Sequence, residues 1–194
     1  MQRTWADRWR RIISYVVPFV LLLAFIAIDQ FTKYHFKAVY ETSGNTVVIK
    51  DFFELTYTIN TGAAWSFLSG VSWAQTFFKV LTMVSLVLFG VFLFYAFKQN
   101  YKFLKYALVL VIAGTIGNFI DRILINGVID FLSFTFWGWD FPVFNIADSC
   151  LTVGVIMIIV HYCFIDKDAL FRKKNKEIDK ETKEEKTETV NVDE

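Results

Sequence analysis

The chain has 194 residues, of which 55% are hydrophobic and 19% aromatic, and its formal net charge is +1. Four long, nearly uncharged apolar segments exclude an ordinary soluble domain and predict an integral membrane protein. The charged residues are segregated along the chain and do not gather on one basic face, so we expect no nucleic-acid partner.

Each apolar segment is close to the ~20 residues that cross a bilayer as a helix. Together they predict a mainly α fold, a bundle of four transmembrane helices in a single membrane domain over residues 1–166. Residues 167–194 alternate acidic and basic side chains, which predicts a disordered cytoplasmic tail. The predicted helices are residues 12–28, 77–97, 106–125 and 147–165.

Arginine residues precede the first helix, as they do in a secretory signal peptide. No small-residue cleavage site follows it, so we predict that this helix is retained. Asp29 and Lys33, at its end, stand four residues apart, which is the spacing of an acid–base pair on one helix face. The pair either fixes the helix end at the membrane interface or takes part directly in a site.

Lysine and arginine residues indicate the orientation, because cytoplasmic loops carry an excess of them. They occur in the N-terminal segment, in the loop after the second helix and in the tail, whereas residues 126–146 contain none. We therefore predict that both termini are cytoplasmic and that residues 29–76 and 126–146 lie outside.

The first outer segment has a strand pattern. Leu55, Tyr57 and Ile59 alternate with polar residues, and this period of two predicts a half-buried strand. Residues 46–50 are mostly β-branched and follow a Ser-Gly-Asn turn, so we expect them to pair with that strand. A small extracytoplasmic β-sheet between the first and second helices is the prediction.

The second outer segment, residues 128–144, is aromatic-rich and interrupted by Gly138 and Pro142. Aromatic side chains are typical of the membrane interface, where we expect this segment to lie. They either cover a site or only anchor the segment: Phe131, Phe134, Phe136, Trp137, Trp139 and Phe141.

The third helix carries polar residues at a depth where the membrane makes them costly. Asn118, Asp121 and Arg122 stand at i, i+3 and i+4 and are expected to share a face. Gly114 and Gly117, just before them, permit close helix contact. We predict that this face lines a polar pocket, with a purely structural polar cluster as the alternative.

Two more acids, Asp130 and Asp148, are predicted at the same depth on the outer side. Alone, Asp148 is typical of a helix cap or dipole partner, and Asn145 is a candidate cap of the same helix. Two carboxylates at one level with Arg122 and Asn118 favour a catalytic pair instead. The ionised member would activate water while the protonated member polarises the scissile carbonyl.

Other hydrolytic chemistries fit poorly. His161 and Cys150 are about 16 Å apart along the fourth helix, too far for a Cys–His dyad. Cys150 and Cys163 are too far apart on that helix for a disulfide. The sequence has no metal-ligand spacing and no Gly-rich phosphate loop, so we expect no metal and no cofactor.

A small transporter or channel subunit that binds ions at Asp130 and Asp148 is the non-enzymatic alternative. A pore predicts polar residues along its whole length. Here they concentrate at the outer helix ends, and the centres of the second and fourth helices are apolar, which favours an enzyme.

Five short motifs occur in order between the first and fourth helices, and through them the sequence resembles lipoprotein signal peptidases (signal peptidase II), small four-helix membrane aspartyl proteases. Each motif alone is weak, whereas five in order are specific. Trp65 stands where the family often has Phe. The motifs are Asp29-Gln30-Phe31-Thr32-Lys33, Asn60-Thr61-Gly62-Ala63-Ala64-Trp65, Gly117-Asn118-Phe119-Ile120-Asp121-Arg122, Val128-Ile129-Asp130-Phe131 and Phe144-Asn145-Ile146-Ala147-Asp148-Ser149.

The resemblance implies an aspartic endopeptidase with Asp130 and Asp148 as its catalytic pair. It implies removal of the signal peptide from diacylglyceryl-modified bacterial prolipoproteins, just before the lipidated cysteine. We expect these precursors and membrane lipids as partners, and a monomer in the bacterial cytoplasmic membrane with its active site near the outer face. The other motif positions expected to bind substrate or support the site are Asp29, Asn60, Gly62, Asn118, Asp121, Arg122, Asn145 and Ala147, to which we add Lys33 as the partner of Asp29.

Overall fold

The computed structural model describes residues 5–62 and 70–165. They form four long helices, each of sufficient length and apolar character to cross a membrane. The predicted tail and the Ala63–Trp65 part of the second motif lie outside the described residues. The helices are α1 (Trp5–Ser43), α2 (Ala74–Lys98), α3 (Lys102–Ile125) and α4 (Ile146–Val160), the last continued by a π-helical turn over His161–Ile165.

The first helix is much longer than the apolar segment that predicts it. Its 39 residues span about 58 Å at 1.5 Å per residue, well beyond the ~30 Å of a bilayer core. The extra length carries α1 up to the sheet, where the Tyr40 ring lies 5.7 Å from that of Tyr57. Asp29 and Lys33 therefore lie within the helix, not at its end.

The third helix is the centre of the bundle. It contacts α1, α2 and α4, and many of its residues are buried, including the polar Asn118 and Asp121. In contrast, only Ala74, Phe78 and Ala96 are buried along α2. Polar side chains on α3 are therefore shielded from lipid by the neighbouring helices.

Close contact between α3 and α4 depends on glycine. A Cβ atom on Gly114 would overlap the backbone oxygen of Ala147. A Cβ atom on Gly154 would lie 2.8 Å from the backbone oxygen of Ala107. The two backbones thus touch at two levels, as small residues allow in membrane helix pairs.

A four-stranded antiparallel sheet, in the order β1-β2-β3-β4, joins the bundle at one end. It is larger than the predicted sheet, because the aromatic segment between α3 and α4 contributes two strands of its own. The aromatic content of that segment indicated an interface position and gave no strand period. The strands are β1 (Thr46–Ile49), β2 (Phe53–Asn60), β3 (Val128–Phe136) and β4 (Trp139–Phe144).

The strand predicted from the alternation of Leu55, Tyr57 and Ile59 is β2, but its burial does not alternate. Ile59 is exposed, whereas Glu54 and Leu55 are both half-buried. The pairing register between β2 and β3 shifts between Leu55 and Thr58. Such a bulge re-aims the side chains on either side of it, which breaks the period of two.

The aromatic residues of the sheet pack mostly on one another. The Phe134 ring stacks on Phe53 at 4.5 Å and on Phe144 at 5.7 Å, while Phe131 is buried and stacks on Phe36 at 4.8 Å. Trp137, at the tip of the β3–β4 hairpin, is fully exposed. The aromatic segment is thus a folded part of the sheet and not a plain interfacial loop.

Candidate active site

Asp130 and Asp148 both line one cavity of about 940 Å³ between the sheet and the bundle. Asp130 lies on β3 opposite Thr58 of β2, and Asp148 lies in the first turn of α4. Antiparallel pairing and the start of α4 therefore bring together two acids that are 18 residues apart in sequence.

Two asparagines connect the carboxylates. Asn145 donates from Nδ2 to Oδ1 of Asp130 at 2.7 Å, and Asn118 donates from Nδ2 to Oδ1 of Asp148 at 2.7 Å. Asn145 also donates to Oδ1 of Asn118 at 3.1 Å, which links the two. Both asparagines are buried, so the linkage is shielded from water.

The second oxygen of each carboxylate is also held. Asn60 donates from Nδ2 to Oδ2 of Asp130 at 3.2 Å, and the backbone N–H of Asn145 donates to Oδ2 of Asp148 at 3.2 Å. The Asp148 N–H donates back to the Asn145 side-chain oxygen at 2.8 Å, which completes a capping box at the start of α4. Asp148 is thus a cap residue that also faces the cavity, so the two interpretations of it are compatible.

Burial dominates the electrostatics of Asp130. Removal of its carboxylate from water, reinforced by the nearby negative charge of Asp148, raises the pKa of Asp130 to about 7. Hydrogen bonds from Asn60 and Asn145, and the charge of Lys33, oppose this rise. Asp130 therefore keeps its proton at a pH where an exposed aspartate has lost it.

A buried ionic cluster lies next to the two acids. Lys33 is fully buried and its Nζ lies 2.8 Å from Asp29 Oδ2 and 2.9 Å from Asp121 Oδ2. The predicted Asp29–Lys33 pair is confirmed, and Asp121 joins it from α3. Asn118 and Asp121 share the face that contacts Lys33, and Asn118 and Arg122 line the cavity, whereas Asp121 does not line it.

Gln30 belongs to the same cluster and was not among the predicted site residues. Its Nε2 donates to Asp121 Oδ1 and to the Gly117 backbone oxygen, each at 3.1 Å. A glutamine directly after Asp29 in an apolar helix was the available signal, because an amide at that depth needs partners.

Arg122 lies beside the acids without a hydrogen bond or ion pair to either of them in the described chain. Its Nη1 donates to the Asn118 backbone oxygen at 3.4 Å, and its guanidinium lies 5.4 Å from the centre of the Phe78 ring. Its charge is close enough to act electrostatically on both acids without contacting either of them. Phe78 holds the cation at the cavity wall by a cation–π contact that the sequence did not indicate.

The loop after β2 forms a second wall of the cavity. The Gly62 N–H donates to Asn60 Oδ1 at 2.9 Å, and Gln75 of α2 donates to the backbone oxygen of Thr61. Gly62 and Asn60 both line the cavity. Asn60 holds Asp130 through its amide nitrogen, so its predicted place at the site agrees with its position.

From the acids the cavity extends along the sides of α2, α3 and α4. Hydroxyl side chains are scattered along this part of its wall. Among residues 5–62 and 70–165, no three His, Cys, Asp or Glu side chains are grouped in a way that could hold a metal ion. The residues lining this lower part include Thr82, Thr115, Ser149, Leu151, Thr152 and Val153.

Comparison with known proteins identifies the family. Residues 21–164 match the family model described as signal peptidase (SPase) II. The chain belongs to the signal peptidase II family. It is therefore a protease, and its four apolar helices make it a multi-pass membrane protein.

Relatives of this signal peptidase II cover most of the chain. A lipoprotein signal peptidase of Staphylococcus aureus is 41% identical over 165 residues, which are 84% of this chain and 94% of that protein. The lipoprotein signal peptidase of Staphylococcus aureus strain Newman is 43% identical over 142 residues, or 73% and 85% of the two chains.

Two solved structures of bacterial membrane enzymes, both obtained by the in meso method, have similar folds. The one at 1.9 Å resolution has a TM-score of 0.63 and 36% identity and covers 78% of this chain and 96% of its own. The one at 2.3 Å resolution has a TM-score of 0.63 and 38% identity, and the match covers 75% of this chain and 87% of the other. The predicted bundle with a small sheet is thereby confirmed.

Proposed function

We propose that this peptidase removes the signal peptide from lipid-modified bacterial prolipoproteins, with Asp130 and Asp148 as the catalytic acids. The observation that carries the proposal is that Asn145 and Asn118 hydrogen-bond the two carboxylates side by side in one cavity. A purely structural pair of acids has no need of a cavity of about 940 Å³ at its carboxylates.

Two neighbouring buried carboxylates share one proton, and we assign that proton to Asp130, whose pKa is raised to about 7. Asp148 takes a proton from water as the water oxygen attacks the scissile carbonyl carbon, while protonated Asp130 donates its proton to the carbonyl oxygen. In the collapse, the C–N bond breaks, Asp148 gives its proton to the leaving nitrogen, and Asp130 recovers one from the gem-diol. Both acids return to their starting states.

The shape of the site fits a lipidated precursor. The acids lie where the bundle meets the sheet, so a scissile bond there is close to the membrane surface, where water is available. The α4 wall of the cavity offers Leu151 and Val153 to a substrate segment that remains in the bilayer. The diacylglyceryl chains can stay in lipid while the peptide bond reaches the acids.

The distribution of basic residues supports an outward-facing site in the cytoplasmic membrane. Residues 126–146, which include β3 and β4, contain no Lys or Arg, whereas Lys98 and Lys102 flank the α2–α3 connection. The sheet end of the bundle is then outside, and both termini are cytoplasmic. We still expect the protein to be a monomer.

The pKa of Asp130 predicts the alkaline limit of activity. As pH rises through about 7, Asp130 loses the proton that it must donate, so kcat/KM should fall by about tenfold per pH unit above that point. A profile of kcat/KM from pH 5 to 9 with a lipidated peptide checks this. A rate that is flat up to pH 9 would show that Asp130 is not the proton donor.

A paired substrate experiment tests the function. Purified protein in detergent receives a diacylglyceryl-modified precursor peptide and, in parallel, the same peptide without lipid, and mass spectrometry locates any cleavage. We expect cleavage of the lipidated peptide only, immediately before the modified cysteine. Cleavage of neither peptide, or of both at equal rates, would refute the proposed substrate class.

A further inference from the structure

The buried cluster around Lys33 contacts the backbone at two particular places. Asp29 Oδ1 accepts a hydrogen bond from the N–H of Ala147 at 2.8 Å, and Asp121 Oδ2 accepts one from the N–H of Ile129 at 3.1 Å. Ala147 directly precedes Asp148, and Ile129 directly precedes Asp130. Each acid of the pair thus follows a residue whose backbone is held by a carboxylate of the cluster.

Lys33 connects these two carboxylates. Its ammonium lies 2.8 Å from Asp29 and 2.9 Å from Asp121, and its third contact is a hydrogen bond of 2.9 Å to Asn118 Oδ1. Asn118 in turn donates to Asp148. All three donor hydrogens of the ammonium are therefore used on groups that hydrogen-bond either Asp148 itself or the backbone of the residue before one of the acids.

We propose that Lys33 is a positioning residue that sets the spacing of Asp130 and Asp148 by tying together the two carboxylates that hold their backbones. The inference rests on the proposed function, because it concerns the geometry of the same pair. α1 contributes no group to the bond-breaking step, yet through Lys33 it aligns an acid on β3 with an acid on α4.

A positive charge at this position has a second effect. Lys33 and Asp29 from α1, Asp121 and Arg122 from α3, and the two acids themselves are the charged groups around the pair in the described chain. Asp29 and Asp121 each carry a negative charge, and the positive charge of Lys33 cancels one of them. A change at Lys33 alters both the spacing and the potential at the acids, whereas a purely structural residue alters neither in a folded protein.

The test compares Lys33→Met with Lys37→Met. Lys37 lies one turn further along α1, where its only ion pair in the described chain is a 3.8 Å contact with Glu41. With the lipidated peptide, we expect Lys33→Met to lower kcat by about 100-fold or more, with KM within about twofold of the unmodified protein. The alkaline limb of its pH profile should move to higher pH, since a cation near Asp130 is lost. Lys37→Met should leave kcat, KM and the pH profile unchanged.

Asp121→Asn provides an independent test of the proposal if Lys33→Met does not fold. This change removes a negative charge but keeps an oxygen that can accept from Ile129 N, so the alkaline limb should move to lower pH, opposite to Lys33→Met. The proposal would be overturned if Lys33→Met folds and keeps the kcat and the pH profile of the unmodified protein. It would also be overturned if the alkaline limb of the pH profile of Asp121→Asn stays where it is in the unmodified protein. Absence of cleavage by the unmodified protein would instead refute the proposed function.

Discussion

Asp148→Asn and Asp130→Asn should each reduce cleavage of the lipidated peptide by about 10³-fold or more, because each removes a proton-transfer group. An asparagine at position 148 cannot take a proton from water. An asparagine at position 130 has no acidic proton to give the carbonyl oxygen. Neither change alters the size of the side chain, so the cavity should keep its shape.

The folded state of these variants needs its own measurement. An asparagine oxygen at either position can still accept one of the two hydrogen bonds, and removal of a buried charge offsets the loss of the other, so thermal unfolding in detergent should change little. Asp140→Asn is a matched control, because Asp140 lies exposed on β4 and accepts only from Thr135 in the described chain. It should cleave at the unmodified rate. A variant of either acid that is folded and fully active would refute its catalytic role.

Gly114→Ala should destabilise the bundle. The added Cβ atom would overlap the Ala147 backbone oxygen and lie 2.9 Å from Leu151 Cγ. Backbone cannot move aside as a flexible side chain can, so α3 and α4 must separate. Overpacking of this kind costs about 1–3 kcal/mol, and activity should fall as well, because Asp148 follows Ala147 directly.

Gly90→Ala is the matched control for helix propensity and volume. Gly90 lies on α2 with nothing within 4 Å of an added Cβ atom, so alanine there should leave stability unchanged or raise it. The measurement is the unfolding temperature of both variants in the same detergent. Equal unfolding temperatures for Gly114→Ala and Gly90→Ala would show that close contact of α3 and α4 does not limit stability.

The helices and most of the site could be predicted because the membrane penalises polar groups. Asn118, Asp121 and Arg122 stand out in an apolar helix, and Asp29 and Lys33 stand out in another, so composition alone marks them. The sequence pattern does not indicate how α1 is rotated about its own axis relative to α3. That rotation decides that Asp121 faces Lys33 and that Arg122 faces Phe78, and it depends on the packing of the whole bundle.

The strands β3 and β4 show a different reason for a partial prediction. Their sequence has aromatic residues on both faces, so it gives no period of two, and an interface position accounts equally well for its composition. The pairing of β3 with β2 decides between these possibilities, and it joins residues about 70 positions apart, such as Thr58 and Asp130. Local sequence carries no information on such a contact.

Cleavage by the Asp130–Asp148 pair is tested by the intact masses of the products that the unmodified protein and Asp148→Asn each form from the lipidated peptide. From the unmodified protein we expect two products, a signal peptide and a fragment that begins with the lipidated cysteine. From Asp148→Asn we expect only uncut peptide. The same two products at the same rate from Asp148→Asn would contradict cleavage by the Asp130–Asp148 pair.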